Sequence, residues 1–466
     1  MKKYLIYYLL AFYAVISILT IIFFDGTRDA GDSVHHFLFA KYAPQHPDLF
    51  FDHWAKPLFV LLAAPFAQFG FTGMKVFNVL VSILNIFFTY KVAQKLGLKN
   101  AVMAAVIMAF IPLNYVMAFS GLTEPLFALF TIIGFYLFLR DKFIFAAILI
   151  SFLPFIRTEG LIIIAVAGFY LLVTRKWKAI PFLLAGHVVY SAAGYFVYHD
   201  ILWVFTKIPY ASMDSVYGSG NPMHFINQLY YALGIPITIL FWLGFIRIIW
   251  NSIRRKISKE EFVLIFLGFF AFFIAHSLFW YLGIFNSMGL KRVLVAVMPL
   301  AAIIALNGFN MATEDFLGRK KQPKQILQAL LVIYIMIFPV LPNPAAINFE
   351  RDMKLSTDQR TAREVARFIK EQTGKDHRFV YTHPYLSMAL DIDHFDPEKR
   401  IELTTDYRDY TKAGDIIIWE NWFAVVERGV HKSQLEQDPR LTKVFEVKKE
   451  DSGAQKEYAV FAVEMQ

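Results

Sequence analysis

Six side chains in this sequence combine a reactive type with a telling setting. Asp32 lies in Asp29-Ala-Gly-Asp-Ser-Val-His-His. A carboxylate so placed can take a proton from a hydroxyl held within hydrogen-bond reach. The same residues also suit a helix N-cap, a role open to Asp29, Asp32 or Ser33. Glu124, in Ser120-Gly-Leu-Thr-Glu-Pro-Leu-Phe, opens an apolar run. The helix dipole favours an acid there, with Thr123 as the cap, whereas an acid facing the inside of a membrane bundle marks function. Arg157 and Glu159 can pair with each other at a chain reversal, or Arg157 can reach Glu124 or a phosphate. Lys291-Arg292 suits a phosphate, which arginine grips with two parallel hydrogen bonds; the alternative is snorkelling to lipid headgroups.

His35, His36, His46 and His53, with Asp32, Asp48 and Asp52, make residues 25–75 rich in metal-ligating types. No His-Glu-x-x-His spacing is present, and adjacent histidines on a helix point apart, so a divalent metal stays open beside solvated or headgroup contacts. No Walker loop, Gly-rich dinucleotide turn or Gly-x-Ser-x-Gly elbow occurs, which leaves nucleotide-driven chemistry without support.

The elements that must hold these groups are membrane helices. The chain has 466 residues, of which 57% are hydrophobic and only 18% charged, against about 25% charged in soluble domains. Apolar runs fall at about 4–24, 76–96, 101–117, 122–139, 143–156, 160–174, 179–198, 225–249, 262–282, 293–310 and 325–341. Many approach the length needed to cross a bilayer. They predict eleven transmembrane helices and exclude a soluble globular enzyme. The first run is too long for a signal-peptide core and is followed by no small-residue cleavage site, so it reads as an uncleaved helix. With no cysteine, disulfides, thiolate metal sites and cysteine nucleophiles are excluded. The net charge of +9 belongs to the membrane part: residues 1–342 hold 27 Lys and Arg against 14 Asp and Glu, and residues 343–466 hold 19 against 23. Anionic lipid, not nucleic acid, is therefore the expected partner.

Basic clusters mark one side of the membrane: Lys2/Lys3, Lys91/Lys95/Lys99, Arg140/Lys142, Arg175/Lys176/Lys178, Arg254/Arg255/Lys256/Lys259 and Arg319/Lys320/Lys321/Lys324. Most acids of this part, including Asp25, Asp29, Asp32, Asp48, Asp52, Glu124, Glu159, Asp200 and Asp214, fall in the opposite connections. The positive-inside rule then puts the amino terminus in the cytoplasm. An odd number of spans puts the carboxyl terminus outside. Hairpin apices near 120–124, 157–160, 200–223 and 291–292 gather polar groups on the external face. Residues 32–43 predict a short helix ended by Pro44. Residues 57–71, interrupted by Pro65, predict an interfacial helix on the outer leaflet. After Pro342 the composition turns polar. A helix at 361–370 and strands at 378–382, 415–419 and 458–463 predict a small α/β domain outside the membrane over 343–466.

Several segments occur together in order: Gly31-Asp-Ser-Val-His-His-Phe, His53-Trp-Ala-Lys-Pro-Leu-Phe-Val-Leu-Leu, Thr123-Glu-Pro-Leu-Phe-Ala-Leu-Phe and Arg157-Thr-Glu-Gly-Leu-Ile-Ile-Ile. The set resembles the C-type (GT-C) integral-membrane glycosyltransferases, especially the bacterial branch related to polyprenyl- and dolichyl-phosphate-mannose-dependent mannosyltransferases. The resemblance covers about residues 1–310. It implies a GT-C-like polytopic helical domain over 1–342, with juxtamembrane helices in the external loop 25–75. It also implies Asp32 as catalytic base and Lys56, Glu124, Arg157 and Glu159 as substrate-binding residues, with Lys291 and Arg292 near a lipid phosphate. The implied partners are a polyprenyl-phosphate-sugar donor, possible substrates among glycans, lipids or proteins as acceptor, and membrane lipids. The implied location is the plasma (inner) membrane, with a part in cell-envelope glycan assembly. The family's acidic pair is not evident, because Asp29 and Asp32 are three apart and Ser33 follows, so the base and any metal requirement stay open. A transporter of lipid-linked sugar is a second reading, although transporters favour paired halves and midplane polar residues. A non-catalytic, glycan-binding membrane anchor is a third.

Overall fold

The computed structural model describes residues 4–209, 215, 217–315, 321–372, 377–451 and 454–464. Lys2, Lys3, Asp214, Arg319 and Lys320, used above to read orientation, lie outside them. The chain divides into two units, residues 1–23 with 48–349 and residues 24–47 with 350–466. The sequence reading kept 25–75 whole with the membrane part, whereas residues 24–47 cluster with the C-terminal residues.

In the first unit the faces of the helix Leu5–Phe23 show what drives folding. Tyr8, Phe12, Val15, Leu19 and Ile22 form an exposed stripe, while Tyr13, Ser17 and Thr20 are buried. Apolar groups outside and small polar groups inside invert the soluble pattern, as expected where hydrocarbon is the solvent. Among the described residues, six further helices are also long and apolar enough to cross a membrane: Gly70–Lys95, Trp177–Tyr198, Ile235–Ile253, Glu261–Leu282, Lys291–Asp315 and Gln322–Val340. Shorter apolar helices are Pro57–Ala67, Glu124–Phe138, Phe143–Phe155 and Gly160–Val173. The protein is a multi-pass membrane protein. The run 101–117 is split into Val102–Phe110 and Pro112–Met117, with Ile111 extended between them, because the residue before a proline is pushed out of the helical region.

Met298–Asn310 is buried on every side and packs against Ile235–Ile253. A Cβ on Gly244 would lie 1.8 Å from the Ile304 carbonyl oxygen, and one on Gly308 would lie 1.8 Å from that of Leu240. The two backbones touch through reciprocal glycines, which no larger residue permits. The helix Pro57–Ala67 runs through Pro65, contrary to the break expected there. Only one backbone donor is lost in so short a helix.

The second unit carries a five-stranded sheet of β1 (Phe379–Val380), β2 (Arg400–Ile401), β3 (Ile416–Glu420), β4 (Leu441–Asp451) and β5 (Ala454–Val463). Its order is β2-β1-β3-β5-β4. β1 is parallel to β2 and β3, whereas β5 is antiparallel to β3 and β4. The helix Thr357–Gln372 packs on β4 and β5. The strands β2 and β4 were not expected. β2 has two residues, and β4 hides behind the Lys and Glu side chains that natural sheets place on an edge. Residues 24–47 join this unit through Gly26 N–H, which donates to the Met353 carbonyl at 2.8 Å, and through the Gln359 amide, which donates to Thr27 Oγ1 and the Asp29 carbonyl. The helix Asp32–Tyr42 ends before Pro44, as expected. Its last residue donates from the Tyr42 hydroxyl to the Ile392 carbonyl at 2.9 Å.

Candidate functional site

In the first unit the ionisable residues converge on Arg157. A tight turn of the Leu153–Phe155 segment leads into the helix Gly160–Val173, with Arg157 N–H donating to the Leu153 carbonyl at 2.9 Å. Gly160 is the residue that permits it, since a Cβ there would come within 2.5 Å of the Leu153 carbonyl carbon and the Pro154 nitrogen. The reversal presents Arg157 to two carboxylates. Its Nη1 lies 2.9 Å from Glu124 Oε1, and its Nη2 donates to Glu159 Oε1 at 2.8 Å. Arg157 therefore takes both of the partners that the sequence allowed. Glu124 begins the helix Glu124–Phe138 and is wholly buried. Thr123 does not cap that helix. Its hydroxyl instead accepts from Arg157 Nη1 at 3.1 Å.

Two further cations border the pair. Arg292 Nε lies 3.6 Å from Glu124 Oε1. Lys56, buried at the start of Pro57–Ala67, donates to the His53 carbonyl at 3.0 Å and to Thr158 Oγ1 at 2.9 Å. Its φ of 70° is left-handed, a strained setting that aims the side chain at this turn. Lys291 places Nζ 5.8 Å from the centre of the Tyr231 ring. Burial pushes the Lys56 ammonium down to about 8, with Arg157 acting in the same direction against Glu159 and Asp52. Burial would raise the Glu159 carboxyl, but Arg157 outweighs it and holds the group at about 2. Asp52, which accepts from Ala55 N–H at 2.8 Å, is raised by burial despite Lys56.

Two contributors were not read from the sequence. His276, buried in Gly268–Leu282, places Nε2 3.6 Å from Glu159 Oε1. A lone histidine inside an apolar run is the signal that could have found it. Asn78 and Asn85, one face of Gly70–Lys95, donate to the Leu122 and Pro125 carbonyls at 3.1 and 2.8 Å. They fix the turn that carries Glu124.

Two solved structures share this architecture. ArnT from Cupriavidus metallidurans bound to undecaprenyl phosphate matches with a TM-score of 0.64 at 11% identity, over 99% of this chain and 98% of that one. The same protein in the apo state matches with 0.65 at 11% identity, over 97% of both. The chain has the GT-C fold. At this identity the likeness is one of fold. No protein-family model and no curated protein matches the sequence.

Asp32 belongs to the second unit, at the first turn of Asp32–Tyr42. None of the three candidates takes the N-cap, which is Gly31; Asp29, outside the helix, instead accepts through Oδ1 from Gly31 and Ser33 N–H at 3.1 and 3.0 Å. The histidines disperse. His46 Nε2 meets Asp393 Oδ2 at 2.8 Å, His53 Nε2 meets the Val204 carbonyl at 3.0 Å, and the His35 ring stands 5.2 Å from that of His394. Among the described residues, no three His, Asp or Glu side chains are grouped to hold a metal ion.

Proposed function

We propose that this protein is a membrane glycosyltransferase whose sugar comes from a polyprenyl-phosphate-linked donor. The observation that carries the reading is the charge of the Arg157 cluster. Arg157 and Arg292 both lie against Glu124 Oε1, at 2.9 and 3.6 Å, and Lys56 is buried at the same turn through Thr158. Two guanidinium forks beside a lysine suit a phosphate. The unit that holds them faces outward with hydrocarbon side chains, a surface matched to a phosphate on a long apolar tail. The neighbour of the same fold is described as bound to undecaprenyl phosphate.

In this reading Asp32 takes the proton of the acceptor hydroxyl and the freed oxygen attacks the anomeric carbon. The bond to the lipid phosphate breaks, and Arg157, Arg292, Lys291 and Lys56 stabilise the charge that grows on the departing phosphate. A direct displacement of this kind inverts the anomeric configuration. The family resemblance favours mannose as the sugar. It also favours an outer-face reaction at the plasma (inner) membrane, with the amino terminus cytoplasmic and the C-terminal unit extracytoplasmic.

The test is transfer by purified protein in nanodiscs from a panel of radiolabelled polyprenyl-phosphate-sugars, with and without EDTA. Sugar should pass to an acceptor and transfer should vanish in Asp32→Asn, with the EDTA lanes deciding any metal requirement. Donor crossing the leaflets of proteoliposomes without transfer would move the assignment to a transporter.

A further inference from the structure

Beside Asp32, and within its own unit, lies a second set of cations that the donor chemistry does not use. Arg400 and Glu402 are two apart along β2 and its continuation, so they lie on the same face. Arg428 follows the turn Phe423–Glu427, whose Phe423 ring comes within 3.3 Å of where a Cβ on Gly31 would sit, one residue before Asp32. Arg428 donates from Nε and Nη2 to Glu402 Oε1 at 3.1 and 2.8 Å, and Arg400 Nη2 lies 3.9 Å from the same oxygen. Two guanidinium groups thus share one carboxylate oxygen.

Two titratable groups bordering this patch sense the Asp32 carboxylate. His35, one helical turn after Asp32, is held down to about 4 by burial first and then by Arg400, against the opposite pull of Asp32. Glu427 is raised by burial and by Asp32, with Arg428 acting against them. Arg400 itself has a fold role, since its guanidinium lies 5.3 Å from the Tyr381 ring centre and Nη2 donates to the Tyr381 carbonyl at 3.2 Å. That role leaves Nε unused. Among the described residues Arg400 Nε is buried and has no hydrogen-bond partner, and its side chain is only 11% exposed. A buried charged donor left unmade is costly, and native structures leave few of them without a ligand or water.

We infer that the acceptor carries an acidic group, carboxylate or phosphate, next to its reacting hydroxyl, and that Arg400 and Arg428 receive that group. The inference deepens the transferase reading and rests on it. It supplies a reason for the base to sit on a unit with its own cations: the same unit that holds Asp32 also fixes the hydroxyl it serves.

Matched acceptors test it: methyl glucoside against methyl glucuronide, and glycerol against glycerol 3-phosphate, given to the full-length protein in nanodiscs with a donor it turns over. The quantity read is the ratio of kcat/KM for the acidic member to that for the neutral one. The ratio should exceed about ten, the worth of one charge-assisted hydrogen bond, and fall toward one in Arg428→Met and Arg400→Gln. Which pair shows the preference separates a carboxylate from a phosphate. A ratio near one in the wild-type protein, or an unchanged ratio in both variants, overturns the inference. Arg428 is 41% exposed, so its variant folds even where Arg400→Gln does not.

Failure of the transferase reading shows separately, as no donor consumed by the wild-type protein with any acceptor. Thermal melting with millimolar inorganic phosphate at fixed ionic strength then decides whether the patch binds anions. A smaller phosphate-induced rise in Arg428→Met than in wild type supports the anion site, and equal rises overturn it.

Discussion

Replacing Arg157 by methionine removes the group on which the ion cluster is built. Methionine keeps much of the side-chain volume and none of the charge. The Glu124 side chain is 1% exposed and that of Glu159 is 20% exposed, so water cannot take over solvation of the first and only partly that of the second. Removing one partner of a buried ion pair costs about 3–5 kcal/mol, against roughly 0–1 kcal/mol for a surface pair. For a chain of this size that corresponds to a fall in Tm on the order of 3–5 °C. Intrinsic tryptophan fluorescence during heating in detergent reads it directly. The reasoning makes a second demand. The cost comes from the stranded Glu124 charge, so Arg157→Met combined with Glu124→Gln should recover a substantial part of the loss. Coupling between such neighbours amounts to about 0.5–3 kcal/mol. A single variant that melts with the wild-type protein, or a double variant no more stable than the single, would refute the account of the cluster as buried and charge-balanced by Arg157.

Donor affinity should depend on pH through Lys56. Its folded-state value near 8 lies below the ordinary 10.5, so phosphate binding weakens as pH rises through about 8, and Lys56→Met should abolish that limb of a binding titration. The same depression means that the charged ammonium destabilises the fold below about pH 8, a penalty relieved as pH rises from 8 to 10.5. Asp358 behaves oppositely. Burial pushes it up, but His383 and the hydrogen bonds from His383 and Tyr458 outweigh burial and hold it at about 2, below the ordinary 3.8. It therefore contributes roughly 2 kcal/mol above pH 4. That contribution is lost as pH falls from about 4 to 2, and Asp358→Asn should lack this acid-dependent step in a melting series. Gly244→Val should cost about 1–3 kcal/mol or prevent folding, because its side chain must displace the Ile304 backbone; expression and melting in detergent measure it.

The sequence by itself determined the solvent and the class of fold. Runs of about twenty apolar residues can be stable only in hydrocarbon, and the structure places a helix in each. Hydrophobic pattern also located the polar hairpin ends, since Arg157, Glu159 and Glu124 could not lie deep in lipid without partners. What local pattern could not give was the assignment of partners. Arg157 had Glu159 two residues away and Glu124 in another hairpin, and only packing decided that it takes both. Asp29, Asp32 and Ser33 were equivalent as caps until the backbone turn put Gly31 at the N-cap and left Asp29 to bond the first-turn N–H groups from outside the helix. Short or edge strands such as β2 and β4 escaped because two residues, or a strand with a solvated charged face, carry little periodic signal. His276 and Arg400 gain their meaning only from neighbours 117 and 19 residues away, Glu159 and Tyr381. Electrostatic and hydrogen-bond energies depend on distance in space and on exclusion of water, and both are properties of the tertiary fold.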